Sequence, residues 1–154
     1  MSFVMITSLI TGILCGTWSE FAPYADLAVW LGFAGCTTYF MTGKSGVQGV
    51  FGAMRQNLLG VGCAILCIWL STVFPFKGDQ ILYSGFVTWI MCYMGKFDAF
   101  SLVPGSFIGC FSTFAAGGDL KVVIPAIILG ECLGLICDKT GLAAYAKFGK
   151  KEDK

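Results

Sequence analysis

The stretch FAGCTTYFMTG, residues 33–43, returns in altered form as FIGCFSTFAAG, residues 107–117. The offset is 74 positions, from Phe33 to Phe107. At that offset Gly35 meets Gly109, Cys36 meets Cys110, Phe40 meets Phe114 and Gly43 meets Gly117. The match continues without a gap: Leu59 meets Leu133, Gly60 meets Gly134 and Cys63 meets Cys137. Thr38 opposite Ser112 is a chemical match. Apolar segments resemble one another by chance because their alphabet is small. Shared glycines and cysteines in register are harder to obtain that way, so the chain reads as an internal duplication.

Composition says where such a chain can live. Of its 154 residues 56% are hydrophobic and 12% charged, and the mean hydropathy is +0.80. A soluble domain carries about 25% charged residues. The charges here sit in short segments between long apolar runs, so a water-soluble enzyme is excluded by the surface it would need. A formal net charge of +1 provides no basic face for nucleic acid.

Six apolar runs are long enough to be membrane helices, over roughly 3–19, 23–42, 47–74, 80–95, 99–116 and 121–138. They are joined by SEFAP, TGKSG, FPFKGDQ, GKFDA and GGDLK. In lipid a segment must satisfy its own backbone groups, which makes these runs helices. The expected fold is an all-α membrane protein of six transmembrane helices, one domain over 1–145 with a charged cytoplasmic tail at 146–154. Repeat one covers about 3–74 and repeat two about 77–139. Each holds three spans, an odd number, so the second copy enters the membrane from the opposite side. The repeats are then inverted about an axis in the membrane plane, and a solute path lies between them near the midplane. With both termini inside, the inner segments carry Lys44, Lys96, Lys139, Lys147, Lys150, Lys151 and Lys154, against Lys77 and Lys121 outside. That bias favours cytoplasmic ends. The apolar N-terminus has no basic leader and reads as an uncleaved first span.

Charges within spans mark function or fix helix pairing. Arg55 stands about eight residues into the third span, ~12 Å deep at 1.5 Å per residue. Glu131 stands about seven residues from the cytoplasmic end of the sixth span, ~10 Å deep. Matched depth makes them a candidate ion pair, either a polar contact in the path or a structural clamp. The repeat places Asn57 opposite Glu131, with Gln56 beside it. Thr37, Thr38, Tyr39, Ser112 and Thr113 offer hydroxyls that line a pore or bond to their own helices. Phe33, Phe40, Phe107 and Phe114 recur and either form constrictions or pack. Trp18, Trp30, Trp69 and Trp89 suit an aromatic belt. Pro104-Gly105 is expected to break the fifth helix and free backbone groups to line a cavity. Gly12 and Gly16, Gly105 and Gly109, and Gly130 and Gly134 have the spacing of close helix contacts. The eight cysteines all lie in or beside apolar runs and read as packing. Cys63 and Cys67 have a metal-binding spacing, but no histidine accompanies them, so no metal or cofactor is expected.

LGFAGCTTYF together with SLVPGSFIGCFSTFAAGGDLKVVIPAIILG resembles the DUF1097 family of small bacterial inner-membrane proteins. The resemblance runs from ITGILCGTW to GLAAYA, with VPGSFIGCFSTFA its most specific part. It implies a bacterial inner-membrane protein with several spans and says little about chemistry. From the residues, the favoured function is a channel or facilitator for a small, mostly uncharged solute, its path formed by Thr37, Thr38, Phe40, Arg55, Asn57, Ser112, Thr113, Phe114 and Glu131. One alternative is a secondary transporter of a small anion or proton-coupled solute using Arg55 and Glu131. Another is a non-transporting assembly or regulatory subunit. The expected partners are the lipid bilayer, a small-molecule solute and further copies in a homo-oligomer. No nucleophile, histidine or pair of acids supports an enzyme.

Overall fold

The computed structural model describes residues 2–149. Among these residues all regular structure is helical. The helices are α1 (Phe3–Phe21), α2 (Val29–Met41), α3 (Val47–Val73), α4 (Asp79–Met94), α5 (Val103–Ala115) and α6 (Leu120–Phe148), with 3-10 turns at Ala22–Ala25 and Asp98–Phe100. Local chemistry sets several boundaries. Ser2 caps α1 by accepting from the Met5 amide, and Asp119 caps α6 by accepting from the Lys121 amide. α2 and α5 have the same length and begin and end at positions 74 apart. Each is followed by a glycine at positive φ, Gly43 at 63° and Gly117 at 64°. A side chain there is strained, which explains why MTG and AAG end the repeated phrase alike.

The six expected segments are all helical, but not all are of spanning length. Three segments are long and apolar enough to cross a membrane: Phe3–Ala25, Val47–Val73 and Leu120–Phe148. α2 and α5, at 13 residues, measure ~20 Å, short of the ~30 Å hydrocarbon core. The apolar runs expected at 23–42 and 99–116 each spend their first residues in a 3-10 turn and a short non-helical link, which hydropathy does not distinguish from helix. α6 departs in the other direction. It was expected to end at 138 and to leave a tail from 146, yet it runs to Phe148. Gly141 packs against Thr7, and the Phe3 and Tyr145 rings meet edge to face at 5.1 Å, so the extension rests on α1. The expected cytoplasmic lysines Lys150, Lys151 and Lys154 lie outside the described residues.

Pro104-Gly105 does not break a helix. Pro104 stands in the first turn of α5, where its missing N–H costs nothing. Gly105 instead lets α5 approach the Gln56 and Thr38 side chains.

The helices pack in matched pairs. α2 lies along α6, and α3 lies along α5; α1 packs on α6, and α4 packs on α3. Shifting each partner by three helices converts the first of each pairing into the second. Glycine sets the closeness of the main seams. A methyl group at Gly35 would strike the Ile127 carbonyl and the backbone of Glu131, and one at Gly109 would strike the backbone of Asn57. Gly32 meets Gly130 in one seam; in the other the equivalent residues are Ser106 and Gln56, which are hydrogen-bonded. Gly12 and Gly16 of α1 approach no neighbouring helix, contrary to the expected close contact.

Candidate functional site

A buried polar cluster lies where α2, α3, α5 and α6 meet. Asn57 Nδ2 donates to Glu131 Oε1 over 2.9 Å. Both residues are fully enclosed, at 1% and 0% exposure. They stand 74 positions apart, so each occupies the other's place in the repeat. The Thr38 hydroxyl lies 3.0 Å from the Ala34 carbonyl and 3.1 Å from Asn57 Oδ1, and its single proton serves both acceptors. The counterpart of the Thr38–Asn57 pair is Ser112 with Glu131. Here the Ser112 hydroxyl and Glu131 Oε2 lack a hydrogen-bond partner among the described residues. Buried polar atoms are usually satisfied, so this half of the cluster holds unused bonding capacity. Thr113 spends its hydroxyl on the Gly109 carbonyl at 2.8 Å.

Gln56 connects this centre to one end of the bundle. Its Oε1 accepts from Ser106 at 3.0 Å, and its Nε2 donates to the Ala99 carbonyl at 3.2 Å. Beyond it opens a cleft of about 50 Å³ lined by Thr42, Lys44, Arg55, Gln56, Asp98 and Ser101, among others. One water needs ~10–15 Å³ of such volume, so the cleft admits a few. The matching place at the other end is filled. The equivalents of Thr42, Gly52, Ser101 and Leu102 are Ala116, Ala126, Leu27 and Ala28, which pack with Leu31, Val61, Val123 and Ile127 in an apolar cluster. The two ends therefore differ: a polar cleft at one, an apolar cluster in the matching place at the other.

The expected ion pair is absent. Arg55 is exposed and its Nε donates to the Phe51 carbonyl of its own helix. Asn57 takes the place beside Glu131 that depth had given to Arg55. Thr37 is exposed, as are Phe40 and Phe114 at 46% and 42%. These three face outward and line no path inside the protomer. Thr38, Asn57 and Glu131 are linked by hydrogen bonds, while Ser112 and Thr113 are buried without a bond to that centre. Sequence reasoning passed over Ser106 and Asp138. Ser106 was marked only by standing where the first copy has Gly32. Asp138 looked like the end of a span, yet its Oδ2 accepts from the Tyr39 hydroxyl at 2.9 Å and from the Ser45 hydroxyl. The Gly46 amide in turn donates to Tyr39 Oη at 3.0 Å, so this carboxylate ties the loop between α2 and α3 to α6. A second cluster is made of sulfur: the Cys15, Cys36 and Cys137 thiols converge from three helices.

Comparison with known proteins adds a lineage to this geometry. A family profile described as "Protein of unknown function (DUF1097)" matches residues 8–142. The inner membrane protein YcdZ of Escherichia coli is 36% identical over 153 residues, covering 97% of this chain and 93% of that protein. YcdZ of Salmonella typhimurium is 34% identical over 143 residues, covering 92% and 89%. The E. coli protein YahC is 24% identical over 156 residues, covering 92% of each. No solved structure matches.

Proposed function

The chain belongs to the DUF1097 family, and from that premise we propose that it is a multi-pass inner-membrane transporter of a small, mostly uncharged solute, built as two inverted three-helix copies. The observation that carries this reading is the Asn57–Glu131 hydrogen bond. Equivalent residues of two copies meet only at the axis relating them. On this reading α2 and α5 complete the crossing with their flanking turns, each copy crosses three times and its successor inverts, so that the axis lies in the membrane plane and the bond near the midplane, where such folds hold their solute. The equal bounds of α2 and α5 and the exchanged packing of α2 on α6 and α3 on α5 support the same symmetry.

Glu131 and Asn57 offer an acceptor and a donor side by side, a pattern suited to an amide or a hydroxylic solute. The cleft beside Lys44 and Arg55 faces the cytoplasm in the orientation that the lysines favour. The apolar cluster around Leu31 and Val123 closes the far side. That asymmetry favours a carrier that exposes its centre to one side at a time over a continuously open channel. The outward aromatics Phe40, Phe111 and Phe114 face lipid or further copies in a homo-oligomer.

The test is solute flux into proteoliposomes, followed by light scattering with urea, acetamide and glycerol and by a pH dye with formate and ammonium. The account expects saturable flux of a neutral solute, lost in a folded Glu131→Gln protein. Flux no greater than that of empty liposomes for every solute would overturn it. Flux that stays unsaturated and equal in both directions would return the account to an open channel.

A further inference from the structure

Beside the polar centre, Cys15 of α1, Cys36 of α2 and Cys137 of α6 hold their sulfur atoms within 4.8 Å of one another. Cys36 and Cys137 are buried and Cys15 is half-buried, with Leu14, Trp18 and Leu133 around them. We propose that these three cysteines form a binding site for a soft monovalent metal ion of the Cu(I) class.

The repeat separates packing from chelation. Cys36 and Cys137 recur at the 74-residue offset as Cys110 and Cys63, which share an apolar cluster in the other half. That pair therefore fills the same seam twice, once between α2 and α6 and once between α5 and α3. Cys15 has no such counterpart. Its equivalent is Trp89 on α4, 58% exposed. The seam is built without a thiol from the outer helix in one half, and in the other half α1 supplies one that completes a triangle.

The triangle has the dimensions of a three-coordinate site. With metal–sulfur bonds of about 2.3 Å, three ligands around one ion stand ~4 Å apart, so side-chain rotation of under ~1 Å closes the set. Thiolate is the ligand type that selects Cu(I). Zinc is commonly held by four ligands, and the chain has no histidine to provide a fourth of the usual kind. Each cysteine that ligates as thiolate gives its proton to solvent as the ion enters, with no change of oxidation state. The half-buried Cys15 leaves the triangle one open edge for access.

The full-length protein in detergent, reduced and kept free of oxygen, is titrated with Cu(I) held by the competing chelator bicinchoninate. The expected result is one ion per chain and a sulfur-to-metal absorption band in the near ultraviolet. Cys15, Cys36 and Cys137 should resist maleimide labelling once the ion is bound, as read by peptide mass spectrometry. Cys15→Ala should weaken binding at least tenfold, while Cys63→Ala and Cys110→Ala bind as the parent does. Elution volume and helical circular dichroism verify each fold. The protection pattern of the unmutated protein requires no variant, so a misfolded substitution does not stall the test. Binding that fails to outcompete the chelator, unchanged labelling of Cys15, or equal loss of binding in Cys63→Ala would each overturn the proposal.

Discussion

Replacing Asn57 by leucine tests the centre of the molecule. The substitution keeps the number of side-chain heavy atoms and their branching and removes the donor that Glu131 Oε1 uses at 2.9 Å. Since Oε2 already lacks a partner, the whole carboxyl group is left without one in a site closed to water. A buried group stripped of its partner costs about 1–3 kcal/mol, more when charged, so the expected loss is about 3 kcal/mol. At 1.4 kcal/mol per decade that is a shift of ~150-fold in the unfolding constant. Adding Glu131→Leu should recover part of the loss, because replacing both partners by apolar groups is nearly neutral. Couplings between membrane helices reach about 1.7 kcal/mol. This one should lie near that upper value, since neither residue touches the outside. The assay is unfolding in mixed micelles of rising SDS fraction, followed by helical circular dichroism, for the parent, both single variants and the double. A double variant whose loss equals the sum of the single losses would refute the reasoning, because the two residues would then not share a bond.

Two further perturbations separate what the seams need from what they do not. Gly35→Ala and Gly109→Ala each drive a methyl group into the backbone of the facing helix and should cost about 1–3 kcal/mol, the range for overpacking; Gly12→Ala and Gly16→Ala meet nothing within 4 Å and should be nearly neutral in the same unfolding assay. Arg55→Ala should change stability by less than about 0.5 kcal/mol, because Arg55 is exposed; a loss as large as that of Asn57→Leu would restore the discarded ion pair.

The 74-residue correspondence was legible because it falls on residues that geometry constrains twice. Gly35 and Gly109 both lie where a side chain would strike the opposite backbone, and Gly43 and Gly117 both take a positive φ. Arg55 was misassigned because depth fixes only one coordinate of a helical residue. Arg55 and Asn57 are two positions apart, about 200° around the helix at 3.6 residues per turn. When Asn57 faces Glu131, Arg55 must face away. Span lengths were misjudged for another reason: Ala22–Ala25 and Asp98–Phe100 are turns set in apolar surroundings, and hydropathy does not record backbone conformation. The thiol triangle was out of reach, since its members come from α1, α2 and α6 and no spacing joins them.

Opposite insertion of the two copies is tested most directly by labelling from each side of the membrane. In a cysteine-free background, Lys44→Cys reports the loop before α3, and Lys121→Cys reports the start of α6, the corresponding turn of the second copy. Both positions are exposed. A membrane-impermeant maleimide added to intact cells should label Lys121→Cys and spare Lys44→Cys, and inverted vesicles should give the reverse. Labelling of both from the same side would contradict the inverted architecture, and with it the placement of Asn57 and Glu131 at the midplane of a transport path.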